Sequence, residues 1–142
     1  MDKSLIASES IIIKAPATKV WDALTNPESI KKYLFGTEAI SDWKKGSALT
    51  FKGVWKDKPY EDKGTILEIE PEKVLKYNYW SPFTGSEDKP ENYIILTFVL
   101  EPNGDETKLT LTQEGAASKD GLDHSMKNWK SVLENIKKLL EA

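Results

Sequence analysis

The sequence predicts an α+β fold: a curved antiparallel β-sheet of about six or seven strands wrapped around one long C-terminal helix, with two short helices after the first strand. Three observations carry this. From Ser118 to Ala142, Leu122, Met126, Trp129, Leu133, Ile136 and Leu140 recur at three- and four-residue spacing, which places them on one face of a helix. Between Ala39 and Glu114 the chain falls into short apolar-alternating segments separated by Gly-, Pro- and Asn-containing turns. A long helix with a Trp in the middle of its apolar stripe needs a broad surface to lie on, and a sheet supplies one.

Ile11-Ile12-Ile13 is β-branched and makes Ser4–Lys14 a strand, though its alternation is too weak to assign the two faces. Ala15-Pro16 ends it, because the residue before Pro is pushed to extended geometry. Pro16 suits the first turn of a helix, where its missing N–H costs nothing. Val20, Trp21 and Leu24 form the inner face of that helix, and Asn26-Pro27 stops it. A second short helix, Glu28 to about Leu34, carries Ile30, Tyr33 and Leu34, with Gly36 as a C-terminal cap.

The strands follow. Ala39–Lys44 is short and ends at Lys45-Gly46. Ala48–Trp55 places Leu49, Phe51 and Trp55 on one side, with Gly53 among the inward positions, where it permits a bend or leaves room. After a turn over Lys56–Pro59, Tyr60–Glu70 is predicted with Leu67 and Ile69 inward. Pro71-Glu72 turns into Val74–Ser81, with Leu75, Tyr77 and Tyr79 on one parity. Pro82–Pro90 concentrates breaker residues and is the longest loop, a candidate lid or rim. Asn92–Glu101 turns Ile94, Leu96, Phe98 and Leu100 inward, Pro102–Asp105 is a turn, and Thr107–Glu114 places Leu109, Leu111 and Gln113 inward. Short turns make consecutive strands antiparallel neighbours. Ser118 or Asp120 is placed to cap the closing helix.

Composition narrows the function classes. At 142 residues the chain reads as one domain, 1–142. A net charge of -3, from 23 acids and 20 bases, gives no support for nucleic-acid binding. Without Cys there is no disulfide, thiol nucleophile or thiolate metal site. The N-terminus lacks a signal-like apolar run and no stretch approaches membrane-spanning length, so the expectation is a cytoplasmic protein without membrane insertion, a monomer or weak homodimer. The lone His124 falls about two residues off the helix stripe and should face the flank or solvent, which argues against a triad or a transition-metal site. Glu68, Glu70, Glu72 and Glu101 read as a solvated face, and isolated glycines form no phosphate-cradling loop. Lys127, Lys130, Lys137 and Lys138, interspersed with Glu134 and Glu141, read as the wet side of the helix.

The chain resembles the START-like (SRPBCC, helix-grip) superfamily, and within it the group named after the activator of the heat-shock chaperone ATPase. Ile12-Ile13-Lys14-Ala15-Pro16 with Val20-Trp21-Asp22-Ala23-Leu24-Thr25 is similar to the family's opening strand and helix. Gly64 through Pro71 with Lys73-Val74-Leu75-Lys76-Tyr77 is similar to its central hairpin, and Leu100-Glu101-Pro102 with Thr107-Lys108-Leu109-Thr110-Leu111 to its last hairpin. Trp129, Leu133 and Leu139-Leu140 resemble its closing helix. Two positions depart from the pattern: Tyr79 stands where the family often has Trp, and Asn128 where it often has Gly.

The resemblance implies a cavity between sheet and helix, which relatives use for lipids, polyketides, plant hormones and other apolar ligands. It also implies an alternative, a protein-interaction module with a chaperone ATPase as partner, working through the loops or the sheet's outer face. A third implication is an enzyme acting on a hydrophobic substrate, which needs a titratable group in the cavity; the tyrosines are the best the sequence offers.

The residues point the same way. Phe51, Trp55, Tyr77, Tyr79 and Phe98 fall on inward positions facing Met126 and Trp129, with Leu133 on the same stripe, and ligand pockets are lined by such aromatics with a few polar tips. The same rings also serve as ordinary core. Gln113 and the Tyr77 and Tyr79 hydroxyls point inward; a buried polar group without a partner costs ~1–3 kcal/mol, so they bond to neighbours, to water or to a ligand's polar end. The expected function is non-enzymatic binding of a small hydrophobic or amphipathic molecule, with no catalytic residue, metal or cofactor.

Overall fold

Apolar residues at every second position and tight turns between the runs produce seven strands, and the computed structural model joins them into one curved sheet. It describes residues 6–34, 36–55, 57–81, 87–89, 92–115 and 119–141, with Trp55 described for its backbone alone. The elements are β1 (Ile6–Ile13), α1 (Ala17–Thr25), α2 (Pro27–Tyr33), β2 (Glu38–Ser41), β3 (Ala48–Trp55), β4 (Lys58–Glu70), β5 (Val74–Tyr79), β6 (Ile94–Asn103), β7 (Glu106–Glu114) and α3 (Lys119–Glu141). Strand order is β1-β7-β6-β5-β4-β3-β2, with every neighbouring pair antiparallel. This is the helix-grip arrangement the sequence predicts.

The local chemistry explains the short helices. Pro16 sits just before α1 in extended geometry, one position earlier than expected. Asn26 closes α1 and opens α2, its side chain accepting from the Glu28 N–H at 3.0 Å, and Pro27 takes the first turn of α2, where no N–H is needed. Gly36, at φ +84°, follows α2, and its N–H bonds the Lys31 carbonyl at 2.9 Å.

β1 turns its odd residues inward, with Ile13 fully buried and Ile6 and Ile12 exposed, which settles the faces that the sequence leaves open. Leu49 and Phe51 on β3, Leu75 and Tyr77 on β5, Leu96, Phe98 and Leu100 on β6, and Leu109, Leu111 and Gln113 on β7 are all buried, in the predicted parity.

β4 departs from expectation. It begins at Lys58, so the turn shrinks to residues 56–57, and Pro59 lies inside the strand opposite Val54. There β4 runs beyond the end of β5, so the missing N–H of Pro59 breaks no ladder bond on that side. A register shift between Ile66 and Glu68 then makes Leu67 the extra residue of a bulge. Ile66, not Leu67, is buried, while Ile69 packs on the core as predicted. The bulge reverses parity, so Tyr60, Asp62 and Gly64 share the face of Ile66.

α3 lies across the inner face. Leu133 and Ile136 enter the main core, while Leu122 and Met126 pack with Ala7. At its far end the Lys137 ammonium donates to the Ile12 carbonyl at 2.8 Å, and the Glu141 carboxylate accepts from the Lys14 N–H at 2.9 Å. Part of the predicted wet face thus ties α3 to β1. The two sets of contacts make α3 run in the same direction as β1. Asp120 lies in the first turn of α3; Ser118, and most of the Pro82–Pro90 loop, lie outside the described residues. His124 is exposed, as are Glu68, Glu70, Glu72 and Glu101.

Candidate functional site

Five of the predicted residues form a closed circuit of rings under α3. Trp129 meets Phe98 and Tyr79 edge-on, with centroids 6.2 Å away in each case. Phe98 stacks on Tyr77 at 6.1 Å, and Phe51 bridges Tyr77 at 6.2 Å and Tyr79 at 6.1 Å. Pairs of this geometry contribute ~0.5–1.5 kcal/mol each beyond their burial, so the circuit stiffens the sheet–helix seam.

The circuit has two sides. On one, Tyr77 and Phe98 border a deep void of about 20 Å³ with Leu75, Leu49 and Ile136, essentially packed core. On the other, Phe51, Tyr79 and Trp129 form the inner wall of a pocket of about 310 Å³. Leu34 and Thr37 come from the end of α2 and the segment after it, Val54 from β3, Tyr60 and Asp62 from β4, and Ser125, Asn128 and Val132 from α3. Val54 and Asn128 are exposed, so the pocket opens to solvent beside them. Its volume falls at the lower end of the ~300–1,000 Å³ typical of ligand sites.

Gly53 is what admits Tyr60. A Cβ there would lie 2.5 Å from the Tyr60 hydroxyl and 2.6 Å from its ring. The ring lies over the glycine, and the hydroxyl shares a 2.5 Å hydrogen bond with Thr37 Oγ1. The expectation that Gly53 leaves room is met by a specific ring.

Asp62 is the polar centre. It is 8% exposed. The Tyr79 hydroxyl donates to its Oδ2, and Ser81 stands against the same carboxyl. Its Oδ1 is buried without a hydrogen-bond partner among the described residues. Desolvation raises the carboxyl above the ordinary aspartate range, opposed by the bonds from Ser81 and Tyr79. Burial, and then the neighbouring Asp62 charge, push the Tyr79 hydroxyl well up, so it stays a neutral donor. Burial likewise raises Tyr77.

The remaining predicted residues stand elsewhere. Gln113 is buried and accepts from the Ser125 hydroxyl at 2.7 Å, so its amide is held by a neighbour. Met126 belongs to the small cluster with Leu122, and Leu133 to the main core, so neither lines this pocket. The Trp55 side chain lies outside the described residues. Sequence reasoning missed Asp62, Tyr60 and Thr37. Tyr79 and Asn128, the two departures from the family pattern, both line the pocket. Among the described residues no group of three or more His, Cys, Asp or Glu is placed to hold a metal ion, and no helix is long and apolar enough to cross a membrane.

Comparison with known proteins agrees with the geometry. The family model described as activator of Hsp90 ATPase homolog 1-like protein matches residues 14–141. The solution structure of ChR145 from Cytophaga hutchinsonii is similar over 99% of this chain and 97% of that one, with 47% identity and a TM-score of 0.85. MLL2253 from Mesorhizobium loti shares 22% identity over 96% of this chain and 97% of its own, at a TM-score of 0.78. The Aha1 dimer from Colwellia psychrerythraea shares 21% identity over 96% of each chain, at 0.76. At such identities the last two show the fold. No curated protein matches the chain.

Proposed function

The chain belongs to the activator of Hsp90 ATPase homolog 1-like family, within the START-like fold, and on that footing we propose that it binds a small amphipathic molecule in the pocket between the sheet and α3. The observation that carries this reading is Asp62: a buried carboxyl with one oxygen unpartnered among the described residues, inside a pocket walled by Phe51, Tyr79 and Trp129. A fold that needed these residues solely for packing would gain by replacing the carboxyl with an apolar group, because an unsatisfied buried polar atom costs ~1–3 kcal/mol. Of the predicted binding residues, Phe51, Tyr79 and Trp129 supply surface here, Tyr77 and Phe98 back those rings from the core, and Leu133 belongs to the core away from the pocket.

The chaperone reading rests on the family's description, and a packed interior would favour it; the 310 Å³ pocket weighs against that interior. Asp62 does supply the titratable group that an enzyme requires, but its one bonded ionisable partner is a tyrosine held neutral, so binding is preferred.

A thermal-shift screen tests the proposal. A ligand at a hundred times its dissociation constant adds about 2.7 kcal/mol. For a domain of this size that corresponds to roughly 8 °C in Tm. Aromatic and acyl compounds of fragment size should give shifts of this kind, abolished by Asn128→Trp, which fills the open side. A panel without any shift would defeat the binding reading and return weight to a chaperone ATPase partner.

A further inference from the structure

Among the described residues the pocket has a charge but no counter-charge. Asp62 is the one carboxylic acid, and no Lys, Arg or His stands, among the described residues that line it. The Tyr79 hydroxyl donates to Asp62 Oδ2, Ser81 bonds the same carboxyl, and Oδ1 is left without a donor among the described residues while almost fully buried. A native fold rarely leaves a carboxylate oxygen in this condition, because burying charge is tolerated when it is paired and hydrogen-bonded. The open position calls for a hydrogen-bond donor, and one that carries positive charge would also answer the unpaired charge.

The surroundings favour the same class. Phe51, Tyr60, Tyr79 and Trp129 bring four aromatic rings to the lining. Aromatic faces attract an ammonium group by ~0.5–2 kcal/mol, most strongly when it is desolvated. Charge-assisted hydrogen bonds are about twice as strong as neutral ones. An anionic ligand meets the opposite situation: it would face Asp62 and find no cation among the described lining residues.

We propose that this pocket selects molecules bearing a protonated amine on an aromatic or aliphatic body, the amine donating to Asp62 Oδ1 while the body lies against Phe51, Tyr60, Tyr79 and Trp129. The inference rests on the ligand-binding reading above and names its ligand class. It separates this chain's ligand from free fatty acids, which share the apolar body and carry the wrong charge. Tyr79 takes part twice, as wall and as the donor that fixes the carboxyl so that Oδ1 is left for the ligand.

Matched probes test it. Tryptamine is compared with tryptophol, and octylamine with 1-octanol and octanoate, by NMR titration of the native protein followed at the Trp129 indole N–H. Each amine should bind at least about tenfold more tightly than its alcohol, as a charge-assisted bond to a desolvated carboxylate requires, and octanoate should bind most weakly. In Asp62→Asn the amine and alcohol should converge to within about twofold, since the charge is removed and the shape kept. Equal affinities in the native protein, or an amine preference that survives Asp62→Asn, would overturn the inference while leaving the pocket reading intact. Failure of every probe, neutral ones included, to move the Trp129 signal would overturn the pocket reading itself. The comparison in the native protein decides the matter even if the variant does not fold.

Discussion

Asp62 works against the stability of its own fold. Its carboxyl is raised by desolvation, so the folded state holds the proton more tightly than the unfolded chain does. The stability it contributes is then fully present below the ordinary aspartate range, near pH 4, and is lost as pH rises through the raised folded value. Glu141 and Asp88 are shifted down, by Lys137 and Lys63 respectively, and act in the opposite direction, losing stability in acid. The difference between Asp62→Asn and the native protein isolates the first effect. The two melting temperatures should agree at pH 3–4, and the variant should gain as pH rises, levelling off above the native carboxyl's titration. Parallel Tm curves across pH 3–8 would contradict the desolvated carboxyl. Asn keeps an acceptor for the Tyr79 hydroxyl, so the comparison changes charge and little else.

Elements whose alternation is unbroken were legible in the sequence. β3, β5, β6 and β7 each bury the parity their apolar residues announce, which is why Phe51, Tyr77, Tyr79, Phe98 and Gln113 are inward. β4 was not, for a physical reason. Reading inward parity backwards from Ile69 passes through the bulge at Leu67 and puts Tyr60 and Asp62 on the solvent face, whereas the extra residue returns them to the pocket. The available signal was Gly64, since glycine inside a strand marks a bulge or a close backbone approach. Both occur here: a Cβ at Gly64 would lie 1.8 Å from the Asn78 carbonyl oxygen, and the Thr65 N–H bonds the Asn78 side chain at 2.6 Å. Gly64→Ala must therefore push β4 away from β5. The expected cost is about 1–3 kcal/mol by analogy with overpacked cores. Because the obstacle is backbone, the same variant should disturb Asp62, two residues upstream. Denaturant unfolding would measure the first effect and the Trp129 signal the second. A variant as stable as the native chain would show that the approach is looser than the geometry indicates.

At the scale of the whole molecule, what holds α3 and what forms the pocket are different sets of residues. Leu133 and Ile136 bury the helix in the main core, and Lys137 and Glu141 fasten its end to β1. Those charged contacts are exposed and screened by solvent, so the apolar stripe carries the anchorage. The pocket instead uses Ser125, Asn128, Trp129 and Val132, facing β3 to β5. The long helix, its stripe and the sheet beneath it were readable from periodicity, but the sequence could not tell which stripe residues touch core and which touch empty space, since both are apolar. Stability and binding should therefore separate. Leu133 is 1% exposed, and Leu133→Ala should cost about 2–5 kcal/mol, lowering Tm by roughly 6–15 °C, while leaving the affinity of any pocket ligand unchanged well below the transition. Asn128 is exposed, so Asn128→Trp should keep stability within about 0.5 kcal/mol while blocking the pocket. Calorimetry on both variants gives Tm and affinity together. If Leu133→Ala weakens binding as much as it weakens folding, or Asn128→Trp leaves binding intact, then core and pocket are one unit and the division drawn here is wrong.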